Sequence, residues 1–236
     1  MTETGVSVPG REPSVPARSR RRNLLELAVT YALILLVEWT PRPWQKLLWW
    51  VAAAAVVLFT CISFDGLKAM GLRRANFFRS LWVVGVALLA AAVAVPVAAA
   101  MRTLHLPPGG PPALLANYWA YSIWACLQQF LLQCFFLSRL LRVLPNVKAA
   151  PAAAALIFAI AHLPSPILAP VTLIWGLVSC HVFLRYCNLY PLALAHAILG
   201  VTIAVTVPGP VDHNMRVGLG YLTYAHTHKP AISPQP

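Results

Sequence analysis

Three glutamines, Gln128, Gln129 and Gln133, lie in the stretch Trp124–Arg142, W-A-C-L-Q-Q-F-L-L-Q-C-F-F-L-S-R-L-L-R, which is otherwise apolar enough to sit in a bilayer. An amide moved from water into a medium that cannot hydrogen-bond costs roughly 4–8 kcal/mol if it finds no partner, so these side chains must face protein or trapped water. At about 100° per residue they span an arc of about 140° on a helix, one broad face. Polar side chains at membrane depth mark a functional site by default. The side chains placed to answer them are histidines, His162, His181 and His196. An imidazole can take or give a proton near neutral pH, whereas a carboxamide only orients its neighbours by hydrogen bonds. The chemistry implied is activation of water, or recognition of a polar ligand, inside an apolar bundle.

The elements that must position these groups follow from composition and hydropathy. The chain has 236 residues, 59% hydrophobic and 10% charged, with a mean hydropathy of +0.70. Those values predict one all-α, polytopic membrane bundle of about seven transmembrane helices rather than a soluble domain. The expected spans are Leu24–Trp39, Leu47–Phe64, Leu81–Met101 with Pro96 as a kink, Leu114–Ser138 with the glutamines, a fifth from Pro151 through F-A-I-A-H, Ile167–Leu184 and Leu189–Val207. Residues 1–22 are expected as a disordered basic tail and residues 208–236 as a polar tail, with the helical membrane domain between them over 23–207. Glu26 and Glu38, near the two ends of the first span, are expected to be solvated or locally paired.

The net charge of +12 reads as membrane topology rather than nucleic-acid binding, because the basic residues flank apolar segments and form no stripe. Seven alternating spans put thirteen of the 18 Lys and Arg residues on the face of the N-terminal tail, which makes that face cytoplasmic. The expected location is a multi-pass plasma or inner membrane. Five cysteines without a C-x-x-C pair suggest neither a disulfide framework nor a zinc knuckle. From 1.5 Å of rise per residue, Gln128, His162 and His196 lie about 15, 16 and 11 Å from the cytoplasmic ends of their spans, a shared depth. His181 lies about 5 Å in by the same count, near the expected mouth of the same cavity.

In order, Q-Q-F-L-L-Q at Gln128–Gln133, F-A-I-A-H at Phe158–His162, W-G-L-V-S-C-H-V-F-L-R at Trp175–Arg185 and L-A-H-A-I-L-G at Leu194–Gly200 resemble the motifs of the CAAX prenyl protease and bacteriocin-processing family, with G-L-R-R at Gly71–Arg74 as a weaker extra. The resemblance covers about residues 70–207. Its motifs, E-E-x-x-x-R, F-x-x-x-H and H-x-x-x-N, imply an intramembrane endopeptidase. The first glutamate and the second-motif histidine would activate water, and the third-motif pair would stabilise the oxyanion. By motif position the catalytic set is Gln128, Gln129, His162 and His196, supported by Gln133, Phe158, His181 and Gly200. Both glutamates, the arginine and the third-motif asparagine are changed, which implies a slow enzyme or none.

The competing readings are a non-catalytic relative that binds a peptide, lipid or prenylated tail, a zinc hydrolase using His162 and His196 with His181 as a further candidate ligand, and a transporter. No internal repeat supports the transporter, and no carboxylate base supports the zinc enzyme. No cofactor is called for, although zinc stays open as an alternative. The expected partners are the lipid bilayer and a peptide or prenylated substrate, with no nucleic acid; the sequence names no protein partner.

Overall fold

The structure, a computed structural model, describes residues 20–110 and 112–224. The basic tail therefore lies outside the described residues except for Arg20–Arg22, as do His226 and His228. Among the described residues every regular element is helical. In chain order they are α1 (Arg20–Trp39), α2 (Trp44–Ile62), α3 (Phe77–Ser80), α4 (Trp82–Ala100), α5 (Ala113–Phe130), a π-helical stretch (Leu131–Leu137), α6 (Ser138–Val143), a 3-10 turn (Val147–Ala149), α7 (Ala150–Ile160), α8 (Leu168–Tyr186), α9 (Tyr190–Thr206) and the short α10 (Gly209–Asp212) and α11 (Gly218–Leu222).

Four rods are long and apolar enough to cross a bilayer: Trp44–Ile62, Phe77–Ala100, Ala113–Val143 and Leu168–Tyr186. The others are built differently. Helix α1 has 20 residues but carries Glu26, Glu38 and three arginines in its first turn. The apolar segments Val147–Ile160 and Tyr190–Thr206 are shorter. Helix α7, with 11 residues, reaches about 16 Å, roughly half of a hydrocarbon core. His162 thus lies just beyond the end of α7, in the turn that leads to Pro164 and Pro166, rather than within a full-length span. Helix α4 runs unbroken through Pro96.

The core centres on the rod that contains the glutamines. Leu132, Phe135 and Leu137 of the π-helical stretch are almost fully buried, as is Leu192 of α9. Helix α7 packs along α8, and α4 and α5 both pack along α9. Helix α2 buries only Ala52 and turns Trp44, Leu47, Leu58 and Ile62 outward, as an apolar solvent requires.

Glu26 is not solvated. Its carboxylate accepts from Arg139 Nε at 2.8 Å, from Ser63 Oγ at 2.9 and 3.0 Å and from Arg22 Nε at 3.0 Å, joining α1, α2 and α6 in a buried network. Arg139, whose charge the topology argument places at the cytoplasmic face, is a buried structural partner that also stacks over Phe135, 3.6 Å from the ring centre.

G-L-R-R is a clamp. Gly71, at φ +70°, lets its carbonyl accept from Leu189 N at 3.0 Å, and a Cβ there would meet the Phe183 ring at 2.7 Å. Arg73 donates to the carbonyls of Cys187 and Tyr186 at 3.0 and 3.2 Å, and Asn188 donates back to the carbonyls of Arg73 and Ala75. The α8–α9 turn is held by these bonds, and through it the start of α9.

The C-terminal segment is not a free tail through residue 224. Gly218 N donates to Leu163 O at 2.8 Å, His213 stacks on Tyr221 and Tyr224, and α11 packs on α1. Neither α10 nor α11, with 4 and 5 residues, is long enough to be a further span.

Candidate active site

His162 is positioned by the end of its own helix. The last carbonyls of a helix lack intrahelical donors, and Phe158 O is one of them. His162 Nδ1 lies 2.7 Å from it. A carbonyl only accepts, so the His162 proton is on Nδ1 and Nε2 carries the lone pair. That nitrogen is 3.5 Å from Gln128 Nε2, which donates to it at long range. The Phe158 ring stands edge-on to His162, with centroids 4.7 Å apart, and is also 5.9 Å from the His196 ring.

His196 is positioned the other way round. Ser179 Oγ donates to Gly176 O at 3.2 Å and accepts from Gln133 Nε2 at 3.0 Å. Gln133 Nε2 also donates to Gln129 Oε1 at 3.3 Å, which fixes the orientation of the Gln129 amide. Gln129 Nε2 is then the group facing His196 Nδ1 at 3.1 Å, and it donates. The His196 proton is therefore on Nε2, which has no protein partner among the described residues. Gln129 and Gln133 are fully buried, and the relay leaves only Gln133 Oε1 of its amide oxygens without a donor.

The two histidines are thus held in opposite tautomers. Both line one chamber of about 1210 Å³, as do Gln128, Phe158, Trp175, Tyr121 and Gly200. His162 presents an acceptor and His196 a donor, the pair needed to take a proton from water and to bind a carbonyl oxygen. Most of the lining is apolar, including Ile34, Trp49, Val56, Leu131, Leu168 and Ile203. The π-helical stretch begins directly after Gln129 and Phe130; π-bulges inside α-helices are frequent at functional sites.

The structure therefore brings together Gln128, Gln129, Gln133, Phe158, His162, His196 and Gly200. His181 does not join them. Its Nδ1 donates to Leu177 O at 2.8 Å, and the exposed ring lies in a separate outer groove with Trp82, Arg185 and Tyr186. Gly200 faces Tyr121 and supplies no side chain. Ser179, which anchors the amide relay, Tyr121 and Trp175, whose Nε1 is buried without an acceptor, are further residues of the site. Glu38 and Asp212 add carboxylates to the chamber lining, but neither is hydrogen-bonded to the histidines or glutamines. Among the described residues no three His, Cys, Asp or Glu side chains converge as a metal site.

The arrangement is two imidazoles, each held by a different hydrogen-bond partner, lining one chamber between helices. Residues 110–202 match the family model of type II CAAX prenyl endopeptidase Rce1-like proteins, in agreement with the resemblance carried by the motifs. The matched segment holds both histidines, all three glutamines, Tyr121, Ser179 and Gly200. No curated protein and no solved structure showed significant similarity to the chain.

Proposed function

We propose that the protein is a slow intramembrane endopeptidase of the CAAX type, which takes a lipid-linked, for example prenylated, peptide into its chamber. The observation that carries this reading is that His162 Nδ1 meets the Phe158 carbonyl while His196 Nδ1 meets the Gln129 amide, with both rings lining one chamber. Water held by Gln128 and His162 attacks the peptide carbonyl while His162 Nε2 takes its proton. The oxygen of that carbonyl accepts from His196 Nε2–H. His162 then returns the proton to the leaving amine as the C–N bond breaks. Apolar walls suit a prenyl or acyl chain, and burial of each methylene contributes about 0.8 kcal/mol. The seven helical rods lie as a multi-pass bundle with the N-terminus on the cytoplasmic side, the side of most Lys and Arg residues. No metal takes part in these steps.

An amide in place of the motif carboxylate removes a general base, worth roughly 100- to 10,000-fold in rate. That observation favours a second reading, a non-catalytic relative that binds the same lipid-linked tail and presents it to a partner. The experiment is a cleavage assay on protein reconstituted in lipid, with farnesylated and unmodified peptides. Cleavage by the wild type that His162→Ala abolishes supports the peptidase. Binding of the farnesylated peptide without cleavage supports the second reading, and no binding at all refutes both.

A further inference from the structure

Gly200 lies inside α9, where glycine weakens a helix and no unusual backbone angle asks for it. The reason is a neighbour. A Cβ at Gly200 would lie 1.7 Å from the Tyr121 hydroxyl oxygen and 2.3 Å from Cζ, so the tip of the Tyr121 ring occupies the space of a side chain at position 200. His196 and Gly200 are four residues apart on one helix and share a face. The Tyr121 hydroxyl therefore stands beside His196, one helical turn along, in the wall of the same chamber.

A half-buried phenol usually finds a hydrogen-bond partner. Among the described residues the Tyr121 hydroxyl has none, and neither has His196 Nε2. Two donors on one wall, both unanswered by protein, make a site for one acceptor oxygen. We infer that Tyr121, reaching in from α5, is the second donor of this site and works with His196 to hold the negative oxygen that develops from the peptide carbonyl in the tetrahedral state, rather than the ground-state carbonyl. The position 200 side chain and the Tyr121 ring exclude each other, so a donor can come from α9 or from α5 but not from both. The inference rests on the proposed function, since it takes the ligand to be a peptide carbonyl.

The test uses the full-length protein in lipid with two probes, a farnesylated peptide and the same peptide with a phosphonate at the scissile position, whose oxygens mimic the tetrahedral state. Tyr121→Phe keeps the ring and removes only the hydroxyl. It should leave farnesylated-peptide affinity within about two-fold and weaken the phosphonate by about 10- to 100-fold, below the roughly 100- to 1000-fold rate effect of losing one oxyanion donor. Tyr121→Ala with Gly200→Asn moves the donor to α9 and should recover most of the phosphonate affinity lost in Tyr121→Ala with Gly200→Ala. Equal weakening of both probes, or of neither, by folded Tyr121→Phe overturns the inference and leaves the proposed function standing. Failure of the wild type to bind either probe overturns both.

Discussion

Gln128→Glu changes one group, the amide nitrogen that now lies 3.5 Å from the acceptor nitrogen of His162. A carboxylate oxygen facing that lone pair would repel it, so a proton or a water must come between them. Either arrangement supplies what the amide does not. For a carboxylate and an imidazolium at this spacing the gross attraction is about 5 kcal/mol at an effective dielectric of about 20. Desolvation of two buried ions costs several kcal/mol each and offsets it, so the variant should fold with a stability within about 2 kcal/mol of the wild type. The rate is the sensitive quantity. Restoring a general base should raise kcat by about 100- to 10,000-fold with KM little changed. The assay is release of the C-terminal fragment from a farnesylated peptide by protein in nanodiscs, with Gln128→Glu, His162→Ala and the double variant compared. A folded Gln128→Glu with an unchanged rate, or a gain that survives His162→Ala, would refute the pairing of these residues around water.

Three further predictions concern the groups that hold the site. Gln129→Leu removes two hydrogen bonds and orphans His196 Nδ1, a loss of about 3–5 kcal/mol, whereas Gln133→Leu also removes the already unpaired Oε1 and should cost about 2 kcal/mol; denaturant titration in detergent gives the order. Because Gln129 sets the tautomer of His196, phosphonate affinity should fall further in Gln129→Leu than in Gln133→Leu, which titration of the probe measures. Arg139→Leu removes the buried cation of the Glu26 network but leaves the carboxylate with Arg22 and Ser63, so it should cost about 2–3 kcal/mol, while Glu26→Leu combined with Arg139→Leu should recover part of it in the same titration.

The helical rods and the pairing of the motifs were legible in the sequence because both depend on local quantities, apolar run length and the depth of a residue along its helix. Counting along each helix puts Gln128, His162 and His196 at similar levels, and the structure sets Gln128 beside His162 and Gln129 beside His196 even though α7 is short. Direction around α8 is what separates His181 from the other groups. His181 lies about 200° from Ser179 at about 100° per residue, so the face of α8 that meets Gln133 turns His181 away. Tyr121 and Gly200 meet across two helices separated by 79 positions in sequence, and a glycine in α9 says nothing by itself about which side chain fills its place. The Glu26–Arg139 pair was hidden for a related reason. Arg139 ends an apolar stretch like any topology-setting charge, and only the packing of α1 against α6 brings the carboxylate to it.

The account depends most on the two imidazoles facing the chamber with opposite polarity. Nitrogen-15 spectra of histidine-labelled protein in lipid at neutral pH, with His162→Ala and His196→Ala for assignment, read the protonated nitrogen of each ring directly. The structure predicts His162 protonated on Nδ1 and His196 on Nε2. Both rings protonated on the same nitrogen, or both doubly protonated, would contradict the proposed division into an acceptor and a donor.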